Sequence, residues 1–201
     1  MKEYSNPIPR ADYLKDTFHV AKDVLLGAYL CTENDGHFCC GRIVELEVYM
    51  GDLDRACHAY PNKKTKRNEI MFGVGGHAYM YLIYGMYPMF NIVVGDAGTP
   101  HAILIRALEP IAGIDVMKQR RGTDNIKMLA NGPGKLTVAM GLNQKNYGAD
   151  LTRRKTVWLC HGNEKIEIIA DKRIGIDYAG PDRELPWRFM IKNNPYVSRK
   201  V

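Results

Sequence analysis

The chain has 201 residues, 46% apolar and 25% charged, with 28 lysines and arginines against 22 acidic residues and a formal charge of +6. That size and mix fit one packed domain over residues 1–201 and exclude a disordered or low-complexity chain. No apolar run approaches the ~18–20 residues of a membrane span, and Lys2, Glu3 and Asn6-Pro7 interrupt any secretory apolar stretch, so neither a membrane nor a secreted protein is expected.

Residues 1–10 read as a loose leader ending at Pro9. Asp16-Thr17 caps a helix that runs to Leu26 and closes at Gly27. The pattern then changes to strands, Ala28–Thr32 and Phe38–Met50, flanking Asn34-Asp35-Gly36 as a hairpin turn. A loop rich in Asp, Asn and Lys follows, to about residue 70. Three strands come next, Ala78–Tyr84, Tyr87–Val94 and His101–Leu108, with Gly85-Met86 as a tight turn between the first two. Helices are expected over Pro110–Arg120 and Pro133–Met140, then strands near Lys155–Cys160 and Ile166–Ala170 and an irregular end. The sum is an α+β fold with a mostly antiparallel curved sheet, peripheral helices and a protruding β-hairpin.

The five cysteines, Cys31, Cys39, Cys40, Cys57 and Cys160, are odd in number and contain no Cys-x-x-Cys pair. This points to a reduced, cytoplasmic protein, nucleoid-associated or nuclear according to cell type. The basic balance favours a polyanionic partner.

In Phe38–Met50, Val44, Leu46, Val48 and Met50 share one face, and Glu45, Glu47 and Tyr49 the other. Two carboxylates two apart on a strand lie roughly 6.5–7 Å apart by strand rise. One could activate water while the other orients or donates a proton. The plainer reading is a solvated strand face with ion-pair partners.

Tyr79, Tyr81, Tyr84 and Tyr87 cluster around Gly85, and Tyr84 lies on the opposite face from Tyr79 and Tyr81. Aromatics beside a hairpin tip can stack on bases or wedge between base pairs, although cross-strand packing also explains them. The run Lys63-Lys64-Thr65-Lys66-Arg67-Asn68 could track phosphates. Asn131-Gly132-Pro133-Gly134-Lys135-Leu136 is a Gly-rich turn opening a helix, where backbone N–H groups suit a phosphate, but it lacks the spacing of a nucleoside-triphosphate loop. The six histidines make no metal-ligand pair with downstream cysteines, so a zinc deaminase is disfavoured.

Gly41-Arg42-Ile43-Val44-Glu45-x-Glu47-x-Tyr49 resembles the central motif of the alkyladenine (3-methyladenine) DNA glycosylase family. Ala56-Cys57-His58, Lys66-Arg67-Asn68-x-x-Met71-Phe72, Tyr79-x-Tyr81-x-x-Tyr84-Gly85-Met86-Tyr87 and Asn91-Ile92 continue it in order. So do Leu104-Ile105-Arg106-Ala107-Leu108-Glu109-Pro110, Gly132-Pro133-Gly134-Lys135-Leu136 and Arg173-Ile174-Gly175. The resemblance implies a monofunctional glycosylase acting on damaged double-stranded DNA as a monomer, with no metal or organic cofactor. It implies that Glu47 activates the attacking water and Arg106 holds both. Tyr49 would stack on one face of an extruded purine, and His58 and Tyr81 on the other. The Ala56 carbonyl would read the purine edge and Asn91 would exclude guanine. Tyr84 would wedge into the duplex, supported by Met86 and Tyr87. Lys66, Arg67, Gly134 and Lys135 would bind phosphates. Cys57 stands where a smaller residue is expected, and the resemblance settles no role for Glu45, which is left a structural pairing with Arg42 or a loop lysine.

Two other readings fit parts of the chain. A carboxylate-pair hydrolase of nucleosides or sugars explains Glu45 and Glu47 but not the basic loops. A non-catalytic nucleic-acid-binding module explains charge and tyrosines but leaves the Glu-x-Glu-x-Tyr face without purpose.

Overall fold

A long strand carries the architecture of the computed structural model, which describes residues 4–199. This strand, β2 (His37–Met50), leaves β1 (Tyr29–Asn34) through Asp35-Gly36, whose φ values of 53° and 76° are both positive, as a two-residue type I′ connection requires. One edge of β2 pairs with β5 (His101–Ala112) along Cys40–Met50. Its other edge pairs first with β1 and then, at Glu45–Glu47, with β8 (Arg188–Ile191). Strands β3 (Ala78–Ile83) and β4 (Tyr87–Val94) extend the sheet beyond β5, β6 (Val157–Cys160) lies outside β1, and β7 (Ile168–Asp171) pairs with β8. All these pairings are antiparallel, and the sheet is curled, so the α+β expectation holds.

The core lies on the face of β2 that carries Val44, Leu46 and Val48, against Phe90, Ile92, Ile103, Ile105 and the helices. The pairing of β2 with β5 shifts register near Cys40-Gly41 and again around Glu45. Ile43 faces Leu108, Glu45 faces Ala107 and Leu46 faces Ile105, so Val44 and Arg106 are each the extra residue of a bulge. A bulge re-aims the side chains around it, and it is at this bulge that the buried charges gather.

Several expected boundaries move. Asp16 caps the first helix as expected, accepting from the Phe18 and His19 N–H groups at 3.0 Å. Only Thr17–His19 is α-helical, however, and Val20–Leu25 widens to a π-helix in which Val20, Ala21, Val24 and Leu25 are all buried. Pro110 does not open a helix. Strand β5 runs on to Ala112, with Pro110 opposite Gly41, and the helix begins at Ile114, after Gly113 at a φ of 75°. Proline is tolerated there because the register shifts between Cys40 and Gly41. The described part of residues 1–10 is not loose: Ile8 is fully buried and donates its N–H to Leu159, and the Tyr4 carbonyl accepts from the Trp158 indole. Residues 1–3 lie outside the described residues. The strand Arg188–Ile191 was not expected at all.

Candidate active site

Strands on both edges of Glu45–Glu47 bury the two carboxylates completely. The solvated strand face is therefore excluded. A carboxylate without water must find donors inside the protein. Arg106, aimed inward by its bulge, supplies Nε to Glu45 Oε1 at 3.0 Å and Nη1 to Glu47 Oε2 at 3.2 Å. Burial alone would lower the pKa of Arg106, but Glu47 and Glu45 outweigh it and hold the guanidinium above its ordinary range.

The two carboxylates then differ. Glu45 is saturated from behind: Arg188 Nη1 lies 3.1 Å and the Ser198 hydroxyl 2.8 Å from its Oε1, and the Ser198 N–H donates to Oε2. With both oxygens taken by Arg106, Arg188 and Ser198, it anchors Arg106 and offers no second carboxylate to the cleft, so the carboxylate-pair reading fails here. Glu45 also does not pair with Arg42 or a loop lysine; Arg42 reaches Glu164 and Glu109. Glu47 accepts from the Ile174 N–H on Oε1 at 2.7 Å and from the Tyr49 hydroxyl on Oε2 at 2.8 Å. Both partners of Oε2, Tyr49 and Arg106, line an open cleft of about 380 Å³. Ile174, the partner of Oε1, lines it as well, so both oxygens of Glu47 are held by groups of the cleft wall.

The cleft has aromatic walls. Tyr49 is backed by the Arg173 guanidinium, 4.9 Å from its ring centre, and Trp187 flanks Arg173 on another side at 5.0 Å. Arg173 is fixed by a buried, two-pronged ion pair with Asp54. Burial, and then Glu47, push the Tyr49 hydroxyl well above its ordinary pKa, so it remains a donor. His58 and Tyr81 meet edge to face at 4.6 Å, and Arg67 lies 5.1 Å over the Tyr81 ring. His58 Nδ1 lies 2.9 Å from the Tyr79 hydroxyl. Burial, reinforced by Arg67, pushes His58 down to about 4, so the ring is neutral at pH 7. Asn91 turns Nδ2 to the Tyr79 carbonyl at 3.1 Å. Cys57 is buried beside His58, its thiol pushed up to about 11 by burial.

Above the cleft stands the β3–β4 hairpin. Its turn is centred on Tyr84-Gly85 rather than the expected Gly85-Met86: both have positive φ, 53° and 70°, and the Met86 N–H donates to the Ile83 carbonyl. Tyr84 is 87% exposed, Met86 68% and Tyr87 49%. A second groove, lined by Tyr84, Tyr87, Gly134, Lys135 and Arg121, separates this tip from the start of the helix Pro133–Met140. Lys135 Nζ is held by Asn131 Oδ1 at 2.9 Å. Lys66 and Arg67 are exposed on the other side of Tyr81, along a third groove with Gln144 and Tyr147.

The fold thus brings Arg106, Tyr49, Ala56, His58, Tyr81 and Asn91 to one cleft, with Glu47 buried behind its wall and Tyr84 at its rim. The sequence reading gave no site role to five contributors. Ile174 offers only a backbone N–H, which no side-chain motif shows. Arg173 and Asp54 act from behind Tyr49. Tyr79 stood in the tyrosine cluster, and its link to His58 gives it a place in the cleft. The hydroxyl of Tyr178 donates to the Ala56 carbonyl at 3.2 Å, an interaction no spacing reveals.

Known proteins resemble the chain along nearly its whole length. A protein of Carboxydothermus hydrogenoformans that carries the provisional name 3-methyladenine DNA glycosylase is 49% identical over 195 residues, which is 96% of this chain and 99% of the relative. Proteins of the same provisional name from Alkaliphilus oremlandii and Clostridium novyi are 46% and 45% identical, over 96% and 95% of this chain and 99% and 98% of their own lengths. Residues 11–195 match the family described as methylpurine-DNA glycosylase, and the chain belongs to that family.

Proposed function

We propose that this chain removes damaged purines from duplex DNA as a monofunctional glycosylase of base excision repair, with Glu47 as general base. One observation carries the reading: Glu47 is fully buried directly behind the cleft, its carboxylate held by three residues of the cleft wall, Tyr49, Arg106 and Ile174. A purine inside the stack is out of reach of any such carboxylate, so the nucleotide must first leave the helix. Tyr84 is the group placed to enter the duplex and fill the gap, with Met86 and Tyr87 beside it. The extruded base enters between Tyr49 on one side and His58 with Tyr81 on the other. An electron-poor or cationic purine gains from such a sandwich.

A water then takes its place beside Glu47 Oε2 and Arg106. Its oxygen bonds to C1′ as the N-glycosidic bond breaks, its proton passes to Glu47, and the bonding pair leaves with the base. The carboxylate also offsets positive charge developing on the sugar. Water and side chains suffice for this step. Strand cleavage is not part of it, because no amine attacks the sugar. In this reading the Tyr79 hydroxyl donates to Nδ1 of the neutral His58 ring, which leaves Nε2–H to donate towards the bound nucleotide. Asn91, with Nδ2 committed to the Tyr79 carbonyl, offers Oδ1 at the cleft floor. Lys66, Arg67, Lys135 and the backbone at Gly134 engage phosphates on either side. One monomer serves one lesion.

Single-turnover base release from a duplex carrying one ethenoadenine tests the assignment. Glu47→Gln is expected to lose roughly 10²–10⁴-fold in rate while still binding the duplex. Release by both proteins at one rate would remove Glu47 from the mechanism. No release by the wild type from any damaged purine would leave a binding module.

A further inference from the structure

Arg173 and Asp54 form an ion pair whose side chains are both fully buried, so neither meets DNA. The pair stands behind both of the donors that join Arg106 in holding Glu47. Arg173 precedes Ile174 in the chain, and the Ile174 N–H reaches Glu47 Oε1 at 2.7 Å. The Arg173 guanidinium also lies 4.9 Å from the centre of the Tyr49 ring, whose hydroxyl reaches Glu47 Oε2 at 2.8 Å.

The guanidinium is fixed on several sides. Nη1 donates to the carbonyl of Val48, the residue between Glu47 and Tyr49, at 2.9 Å. Nη2 donates to Asp54 Oδ1 at 2.8 Å and to the Asp182 carbonyl at 3.3 Å, and Nη1 completes the fork on Asp54 Oδ2. Asp54 accepts in turn from the Met50 N–H at 3.3 Å and the Ala56 N–H at 3.0 Å. The pair therefore ties the end of β2, the turn after it and the segment carrying Ile174 to one another. Burial works against the charge on Arg173, but Asp54 outweighs it and holds the guanidinium above its ordinary range. A buried ion pair often adds no net stability over apolar residues of similar volume. A two-pronged fork does fix direction, and direction is what a general base needs.

We propose that Arg173, locked by Asp54, is a positioning residue for Glu47: it places both the Ile174 N–H and the Tyr49 hydroxyl, and through them aims the carboxylate. The inference rests on the glycosylase reading above, with Glu47 as the base. Lysine at 173 keeps the charge but has no planar fork to satisfy Val48 and Asp54 together. Asparagine at 54 keeps the shape of the partner but removes its charge and one acceptor. Either change frees the Ile174 N–H and the Tyr49 ring to shift, and a small misplacement of a reacting group costs up to about 10²-fold in rate.

The test is a double-substitution cycle in single-turnover release from a duplex carrying one ethenoadenine. Arg173→Lys and Asp54→Asn, two independent ways of loosening the pair, are each checked for an intact fold by thermal melt. Each is expected to slow release roughly ten- to a hundredfold at saturating protein, with the half-saturating protein concentration unchanged. Added to Glu47→Gln, the same substitutions are expected to slow release by less than about threefold more, because no carboxylate is left to aim. A pair that merely holds the fold would cost the same factor with or without Glu47. That outcome, or wild-type rates in the single variants, would overturn the inference. Equal release by Glu47→Gln and the wild type would instead remove Glu47 as the base, and with it the reading on which this inference rests.

Discussion

The hydroxyl of Tyr49 donates to Glu47 Oε2 over 2.8 Å, so an aromatic wall of the cleft and the buried carboxylate behind it form one hydrogen-bonded unit. Arg173, 4.9 Å behind the ring, fixes that wall from the other side. Tyr49→Phe preserves the ring and its packing but takes one donor from a carboxylate that has no water. Loss of a hydrogen bond to a buried charged group costs about 1.5–3 kcal/mol. Urea unfolding is expected to show a loss of that size. Base release should slow as well, with duplex binding kept, because Glu47 loses a restraint on its rotamer. Wild-type stability in the variant would mean that Arg106 and Ile174 alone hold Glu47.

Glu45 is expected to matter for a different reason. Its carboxylate compensates two buried arginines, Arg106 and Arg188, and is capped by Ser198. Breaking a buried ion pair from one side leaves charge without a partner and typically costs about 3–5 kcal/mol. Glu45→Gln should approach that range, whereas Ser198→Ala removes one hydroxyl donor and should cost about 1 kcal/mol. Denaturant midpoints of the two variants separate the cases. Similar small losses for both would show that Arg106 and Arg188 find other partners. Arg188 also pairs with Asp171, which limits how far its charge is stranded.

These two networks mark what the sequence could and could not disclose. The alternation Val44, Leu46, Val48 against Glu45, Glu47, Tyr49 was legible because strand geometry alone assigns faces. The hairpin carrying Tyr84 was legible from Gly85 and its flanking alternation, although the turn sits one residue earlier because Tyr84 itself accepts a positive φ. Burial of Glu45 and Glu47 was not legible. It depends on β8, a short strand more than a hundred residues away, and on a bulge that aims Arg106. Neither leaves a local pattern, and Arg188-Phe189-Met190-Ile191 is too short to announce itself. Pro110 misled for a physical reason: proline marks a helix start, yet a register shift gives it an equally acceptable place in a strand.

His58 provides a prediction in pH. Burial and Arg67 push it down to about 4, against 6.5 for an unperturbed imidazole. Between those values the unfolded chain binds a proton that the folded chain refuses, so unfolding is favoured as pH falls. The contribution is present in full above about pH 6.5 and is lost on descent towards about 4. The ring opens onto the cleft, and solvent weakens the effect, so the slope should be shallow. Urea midpoints of wild type and His58→Gln at pH 5 and pH 7.5 read it. The advantage of the wild type should be larger at pH 7.5. A gap independent of pH would place the ring in open solvent, free to charge.

Tyr84 offers the sharpest separation of fold from function. It holds φ at 53°, a region that costs an ordinary L-residue roughly 1–2 kcal/mol, and its side chain is 87% exposed. Glycine relieves that cost but loses about 0.5–1 kcal/mol in chain entropy, so Tyr84→Gly should be close to neutral for stability. The same substitution deletes the group we propose enters the duplex. Extruding a base costs a few kcal/mol in lost stacking and pairing, and least where the base is already unpaired. Single-turnover release from a fully paired duplex should therefore fall at least roughly tenfold, while release from a single strand should hardly change. A thermal melt checks that the fold is intact. Equal losses on both substrates would assign Tyr84 to the wall of the cleft instead, because a wedge acts only where there is a stack to open.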